Sequence, residues 1–116
     1  MRNAISSKLI KQSLLKGGLT FNNARSKVKT GFMVSQKDTE KIVEVSSIKQ
    51  LKKDIQEYVD THALKPNQYF GLWHNDNKCY IDISSRISTK RKAIELGKQE
   101  NQLAIFDNKN LKVIEL

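Results

Sequence analysis

Residues 69–84 read YFGLWHNDNKCYIDIS, and in this stretch two short apolar runs flank Asn75-Asp76-Asn77. Aromatic and β-branched residues favour strands, while Asn and Asp tolerate the left-handed backbone of a tight turn. The stretch therefore predicts a β-hairpin. In its second strand an apolar set alternates with a mixed set, so the hairpin has one apolar face: Cys79, Ile81 and Ile83 against Tyr80, Asp82 and Ser84.

The chain around this hairpin is 116 residues long, the size of one domain with a single hydrophobic core. Helical and strand-like segments are mixed along it. We therefore predict one α+β domain over 1–116, with a mainly antiparallel sheet, two helices packed on it and an additional N-terminal helix. Residues 1–37 form a basic N-terminal helix and strands, and residues 42–116 form a β-α-β-β-α-β-β unit.

Three segments have helical patterns. Residues 1–16 carry apolar residues at helical spacing and are followed by Gly17-Gly18, a typical helix stop. Ser47 and Gln50 form a Ser-x-x-Gln capping box before a clear amphipathic helix. Residues 89–101, with Ser88 as the expected cap, form the third helix. The apolar stripe of the second helix consists of Ile48, Leu51, Ile55, Tyr58 and Val59.

Five further segments have strand patterns. They are 19–21, 27–35 with a kink at Gly31, 42–45, 103–106 and 111–114. Between residues 42 and 106 the order of elements is that of ferredoxin-like folds, which include the RNA-recognition motif. The motif's sequence pattern is not matched, since the first strand of this unit supplies no aromatic residue and only Tyr80 is placed to stack on a base.

The positive charge is concentrated in the first third of the chain. The formal net charge is +9, from 21 basic and 12 acidic residues. Eight of the basic residues and none of the acidic ones lie in residues 1–37. This asymmetry favours a polyanionic partner: nucleic acid first, an anionic membrane surface second, an acidic protein third. A charge that only keeps the protein soluble is the alternative.

A second basic group opens the third helix, where cations oppose the helix dipole and so do not stabilise the helix. Free amides together with these cations predict a phosphate or carboxylate site, with a solvated basic turn as the alternative. The nucleic-acid-binding residues that we predict from both groups are Arg2, Lys8, Lys11, Lys16, Arg25, Lys27, Lys29, Arg86, Lys90, Arg91 and Lys92.

Catalytic and metal-binding patterns are weak. Neither a Cys-x-x-Cys pair nor a metal-ligand spacing of histidines occurs, so we expect no metal site and no cofactor. No phosphate-binding Gly-x-x-x-x-Gly-Lys loop is present. His74 and Cys79 bracket the hairpin turn, and with Asp82 they suggest thiol chemistry as a minor alternative, with a buried structural Cys79 as the simpler interpretation. We therefore expect a protein that is not an enzyme.

The sequence has no apolar run long enough to span a membrane and no secretory signal. Its single cysteine suits a reducing compartment, so we expect a cytoplasmic location. The basic N-terminal helix also resembles a mitochondrial presequence, although Lys outnumbers Arg there. Exposed edge strands leave dimerisation open.

Five segments form a further pattern: GGLTF at 17–21, KTGFMVS at 29–35, GLW at 71–73, YIDIS at 80–84 and NQLAIFD at 101–107. Together they resemble a group of short accessory proteins encoded by phages and integrative elements of Gram-positive bacteria. The resemblance implies a mobile element, in which small proteins bind nucleic acid or disable host nucleases, CRISPR effectors included; it assigns no functional residue.

Our first hypothesis is nucleic-acid binding through phosphate contacts. The alternative is a phage-encoded inhibitor that docks on a host nucleic-acid enzyme such as a CRISPR nuclease.

Overall fold

The structure is a computed structural model that describes residues 5–22 and 28–116. Its helices and strands confirm the predicted α+β class, with a curled antiparallel sheet. No helix in the described part of the chain has the length and apolar character needed to span a membrane. In chain order the elements are α1 (Ser7–Lys16), β1 (Gly18–Phe21), β2 (Phe32–Ser35), β3 (Lys41–Glu44), α2 (Ile48–Thr61), β4 (Gln68–Asn75), β5 (Lys78–Ile87), α3 (Lys90–Gln99), β6 (Ala104–Asp107) and β7 (Lys112–Glu115).

The central hairpin forms as predicted from β4 and β5. Its strands pair from Gln68 opposite Ser85 to Asn75 opposite Lys78. The two turn residues, Asp76 and Asn77, have φ values of 50° and 63°. A two-residue loop with positive φ at both positions matches the right-handed twist of the flanking strands, which explains the preference for Asp and Asn there.

β5 is the longest strand and has neighbours along both sides. β4 lies on one side and is followed outward by β1. On the other side, β3 pairs with the first half of β5 and β2 pairs with the second half. β2 in turn pairs with β6, and β6 pairs with β7. The sheet order is therefore β1-β4-β5-β2-β6-β7, with β3 placed beside β5.

The strand pairing differs from that of a ferredoxin-like fold, although the order of elements along the chain is the predicted one. A ferredoxin-like unit contains split β-α-β units, in which a crossover helix joins parallel strands. In that fold another strand lies between the two parallel strands and is antiparallel to both, and here β5 lies between β3 and β4 in this way. The difference is β6, which pairs with β2 and not with β3. The described sheet thus differs from the RNA-recognition motif in the place of this last strand, and the motif's sequence pattern is missing as well.

The helices pack against the face of the sheet that carries Phe70, Leu72 and Ile81. α1 and α2 cover the β1, β4 and β3 region, and α3 covers β2, β5 and β6. The larger core cluster lies under α1 and α2, whereas the smaller one, built on Val34, Ala93 and Ile105, lies under α3. The other face of the sheet carries the alternating set that includes Trp73 and Tyr80.

Several predicted boundaries are corrected by the structure. Residue 27 of the strand predicted over 27–35 lies outside the described residues, and within residues 28–35 the strand begins only at Phe32, because Gly31 adopts a φ of 82° that interrupts extended backbone. The cap of α3 is Thr89 and not Ser88. The strands predicted at 103–106 and 111–114 begin and end one residue later. The first four residues of the predicted N-terminal helix lie outside the described residues.

The capping box at α2 is confirmed in part. The Ser47 hydroxyl accepts a hydrogen bond from the Gln50 amide N at 3.1 Å, as the motif predicts. The Gln50 side chain bonds to the residue before the cap, because its Oε1 accepts from Ser46 N at 3.1 Å and from Ser46 Oγ at 3.0 Å. In a standard capping box this side chain would bond to the backbone N–H of the cap residue itself, whereas here it bonds to the residue before the cap.

Candidate nucleic-acid interface

Three separate chain segments are joined at Thr30, in the loop before β2. Arg86 of β5 donates from Nε to the Thr30 carbonyl oxygen and from Nη2 to Thr30 Oγ1, both at 2.8 Å. Asn108, which follows β6, donates from Nδ2 to the same carbonyl oxygen at 3.0 Å. Asn108 N also donates to Gly31 O at 3.0 Å. The loop, the end of β5 and the β6–β7 turn are therefore held as one unit.

Gly31 is required at this junction for two reasons. Its φ of 82° lies in the left-handed region that other residues rarely adopt. A Cβ atom at this position would also lie only 2.9 Å from Arg86 Nε. The missing side chain thus gives the guanidinium group the space in which it reaches Thr30.

The β6–β7 turn is organised by Asp107. Its Oδ2 accepts from Asn110 Nδ2 at 2.8 Å, and its Oδ1 accepts from the backbone N of Lys109 at 3.1 Å and of Asn110 at 3.2 Å. The Asn110 side-chain hydrogen bond is the main cause that lowers the pKa of Asp107, so the carboxylate is charged at neutral pH. This turn carries the exposed Lys109 and leads into the exposed Lys112.

Cations from four segments occupy this end of the sheet. β2, β5 and β6 meet there, because Phe32 is opposite both Ile87 and Asp107. α3 begins three residues after Ile87. Arg86 is opposite Met33 and alternates with Ile87, which packs against α3, so Arg86 lies on the other face of the sheet from α3. We call this group of cations the basic corner; it consists of Lys29, Arg86, Lys90, Arg91, Lys92, Lys109 and Lys112.

The start of α3 has the features that its sequence predicts. Thr89 is the N-cap residue and makes no side-chain capping hydrogen bond, so its side chain does not satisfy the first-turn amides. Lys90, Arg91 and Lys92 are all exposed. Arg91 Nε lies 3.6 Å from Glu95 Oε1, but an exposed pair of this kind stabilises a helix only weakly. Three cations therefore surround amides that have no cap from a side chain.

The other predicted residues fall into two sets. Lys8, Lys11 and Lys16 lie on the exposed side of α1, opposite the buried Leu9, Ile10 and Ser13. α1 packs on β1 and β4, at the far edge of the sheet from β6 and β7. The structure thus gives two basic surfaces, and it does not merge the N-terminal lysines with the start of α3. Arg2, Arg25 and Lys27 lie outside the described residues.

Two cations of the basic corner were not predicted. Lys109 and Lys112 lie at the same end of the sheet as Lys29 and Arg86 because β6 pairs with β2, over 70 residues earlier in the chain. The sequence does predict a turn at 107–110, which contains Lys109. Which strand lies beside that turn cannot be inferred from local pattern, since β pairing is non-local.

The Cys79, His74 and Asp82 combination is not assembled as a catalytic site. His74 and Cys79 are directly opposite in the hairpin on its core face, whereas Asp82 pairs with Gly71 on the other face. Cys79 is fully buried, and its burial raises the pKa of the thiol to about 12. A thiol that stays protonated at neutral pH is a poor nucleophile, because the thiolate is the reactive form.

His74 instead links β4 to α1. Its Nε2 lies 2.9 Å from Ser13 Oγ, and Ser13 Oγ donates to Ile10 O at 2.7 Å. Because the serine proton is used there, we assign Nε2–H as the donor to Ser13. His74 Nδ1 is buried without a hydrogen-bond partner in the described part of the chain. Burial lowers the pKa of His74, which favours the neutral ring.

Comparisons of the chain with protein-family models, with curated proteins and with solved structures gave no match. Within residues 5–22 and 28–116, no three His, Cys, Asp or Glu side chains are grouped as a metal ion would need. The features that bear on function are the lysines of α1, the basic corner and the exposed faces of the sheet.

Proposed function

We propose that this protein is a small accessory protein that binds the phosphate backbone of nucleic acid through the basic corner, without catalysis. The observation that carries this proposal is the junction at Thr30. There, hydrogen bonds from Arg86 and Asn108 hold the loop, β5 and the β6–β7 turn together, and each segment carries exposed or half-exposed cations. A fixed cluster of cations suits a polyanion, because little side-chain and loop freedom is lost on binding.

The guanidinium of Arg86 is well placed for a phosphate contact. Two of its N–H groups bond to Thr30, which fixes the plane of the group. Arg has five N–H donors in a rigid fork, so donors remain for an anionic oxygen. A pre-oriented guanidinium loses less conformational freedom on binding than a flexible side chain does.

The start of α3 supplies a second phosphate position. Lys90, Arg91 and Lys92 sit where the positive end of the helix dipole disfavours them, by about 0.3–1 kcal/mol each at most. Their presence is better explained by an anionic partner than by helix stability. The free N–H groups of the first turn are directed outward from the start of α3, so they are additional hydrogen-bond donors for the anion.

Salt dependence tests this function on the unmodified protein. Phosphate contacts release condensed counterions, so affinity for bare duplex and single strands should fall steeply as salt rises. With about six or more contacts, raising salt from about 50 to about 200 mM should weaken binding about a thousandfold. Binding that is absent at low salt, or insensitive to salt, would contradict the proposal.

A second candidate function, inhibition of a host nucleic-acid enzyme through protein contact, is favoured by one observation. The β6–β7 edge of the sheet exposes several apolar side chains, among them Leu103, which is 88% exposed, and Leu111, which is 77% exposed. Exposed apolar groups at a sheet edge are typical of protein contacts. A binding measurement with bare nucleic acid distinguishes the two functions. A direct binder has affinity for bare nucleic acid, whereas an inhibitor needs its protein target to be present.

A further inference from the structure

A row of apolar and aromatic residues crosses four strands on the face of the sheet opposite the helices. Ile42 of β3 is opposite Tyr80 of β5, Tyr80 is opposite Trp73 of β4, and Trp73 is opposite Gly18 of β1. Trp73 is 55% exposed and Ile42 is 51% exposed. Their alternating neighbours Phe70, Leu72 and Ile81 belong to the core, so this row is not part of it.

The two rings of the row contact each other and leave surface free. The centroids of Trp73 and Tyr80 are 5.1 Å apart, with an interplanar angle of 44°. Gly18 has no side chain to cover the indole on its β1 side. A Cβ there would lie 2.7 Å from Leu72 O and 3.7 Å from Trp73 Cδ1, so only glycine fits. The register thus places a residue without a side chain beside the exposed indole.

Two lysines lie near the row. Lys78 shares the outer face of β5 with Tyr80, and Lys16 ends α1 two residues before Gly18. Lys41 precedes Ile42 on β3 but is opposite the core residue Ile81, so it lies on the face that the helices cover. Two acidic residues share the outer face: Glu44 is opposite Lys78, and Asp82 accepts a hydrogen bond from Ser35 Oγ at 2.9 Å.

We propose that the Trp73–Tyr80 ring pair is a stacking platform for unpaired bases, which makes single-stranded nucleic acid the preferred ligand. The inference rests on the proposed function and specifies the class of nucleic acid. An exposed ring pair with Lys78 on its own face matches single strands, whose bases stack on aromatic side chains while cations contact the backbone. In duplex DNA the bases are stacked on one another inside the helix, so no base face is available to stack on the two rings. The experiment must also distinguish a single-stranded nucleic acid from a protein as the partner of this ring pair.

Trp73 is the single tryptophan of the chain, so its fluorescence reports on the platform in the unmodified protein. Titration with an oligothymidine single strand should quench this fluorescence to saturation, and a duplex of equal charge should quench it much less. Equal quenching by both ligands, or quenching by neither, would overturn the platform.

The Trp73→Ala variant then measures the contribution of stacking, with a labelled oligonucleotide whose fluorescence anisotropy is followed. Stacking of one base contributes about 1–3 kcal/mol, so affinity for the single strand should fall about 5- to 150-fold. Duplex affinity should stay within about twofold, since the phosphate contacts are intact. Leu103→Ala, which truncates another exposed apolar side chain, is the matched control and should change neither affinity.

The outcomes separate this inference from the proposed function. If Trp73→Ala leaves single-strand affinity unchanged while wild-type binding remains salt-dependent, the platform is wrong and the basic corner stands. If the wild-type protein binds neither ligand, both are wrong and the row is a protein-contact surface. Trp73→Phe keeps an aromatic ring and should retain most of the affinity, which guards against an Ala variant that folds poorly.

Discussion

Arg86 and Thr30 lie 56 residues apart in the chain, yet the guanidinium of Arg86 donates two hydrogen bonds to Thr30, one to the carbonyl oxygen and one to the hydroxyl, each 2.8 Å long. This contact fixes the loop before β2 against the end of β5. Lys29 precedes Thr30 in this loop. The position of the loop against β5 therefore depends on this one forked side chain, while Asn108 holds the loop to the β6–β7 turn.

Replacing Arg86 with Lys keeps the charge but removes the fork. We expect a loss of about 1 kcal/mol in the free energy of unfolding, since a lysine cannot hold both Thr30 oxygens in the same geometry. Nucleic-acid affinity should fall as well, because the loop is less fixed. Chemical denaturation and binding titrations measure the two effects. Wild-type values for both would show that the Thr30 contacts are incidental.

Gly31 and Gly17 form a matched pair for testing the junction. Both have positive φ, 82° and 77°, so alanine at either position has a similar backbone cost of about 1 kcal/mol. At Gly17 nothing lies within 4 Å of the added Cβ, whereas at Gly31 the Cβ would lie 2.9 Å from Arg86 Nε.

We therefore expect Gly31→Ala to destabilise the protein by about 1 kcal/mol more than Gly17→Ala, measured by denaturant unfolding. Only Gly31→Ala should weaken nucleic-acid binding, because only it displaces Arg86. Equal losses of stability and unchanged binding for both variants would count against the role of Gly31.

The hairpin turn and the helix caps show what can be predicted from local sequence. Asp76 and Asn77 were expected in a turn because these residue types tolerate positive φ, and both adopt it. Ser47 was expected to cap α2 and does. In each case the physical cause lies within a few residues of the chain.

The basic corner shows what could not be predicted. Its cations come together through the pairing of β2 with both β5 and β6, and strand pairing across the chain depends on tertiary packing. A short strand presents the same local pattern whichever neighbour it takes. The lysine Lys109 was therefore assigned only to a turn, and Lys112 to a terminal strand.

His74 should make stability depend on pH below about 6.5, the ordinary pKa of a histidine. Burial lowers its pKa below the ordinary value of about 6.5, so the unfolded chain binds the proton first as pH falls. Stability from the neutral ring is therefore complete above about pH 6.5 and is lost as pH falls toward the lowered folded-state pKa. Urea unfolding across this range measures the slope.

The His74→Gln variant should show a flatter dependence of unfolding free energy on pH, because a neutral amide replaces the ring near Ser13. The wild-type protein, measured under the same conditions, is the reference for this slope. If His74→Gln keeps the wild-type slope, another group titrates in this range and His74 is not the cause.

Cys79 should behave as a buried core residue. Cys79→Ser places a hydroxyl in a fully buried site and should cost about 1–3 kcal/mol of unfolding free energy, seen as a lower melting temperature. Nucleic-acid binding by the folded variant should be unchanged. Because burial raises the pKa of the thiol to about 12, native protein should react with a thiol reagent at pH 7 only after unfolding. Loss of activity at an unchanged melting temperature would instead point to thiol chemistry.

The central claim is that the basic corner contacts phosphate groups. Replacing the three cations at the start of α3 with Gln tests it. Lys90, Arg91 and Lys92 sit unfavourably with respect to the helix dipole, so the triple Gln variant should melt at the wild-type temperature or slightly above. A matched control is the triple Gln variant of Lys49, Lys52 and Lys53 on α2, which removes the same charge away from the basic corner.

The deciding measurement is the slope of log affinity against log salt for duplex DNA, in the wild-type protein and in both triple variants. If each of Lys90, Arg91 and Lys92 contacts a phosphate, their replacement should reduce the slope by about 0.9 per contact, or about 2.7 in all. The α2 variant should keep a slope close to that of the wild type. A wild-type affinity and a wild-type slope for the α3 variant would contradict the account and leave the start of α3 as a solvated basic turn.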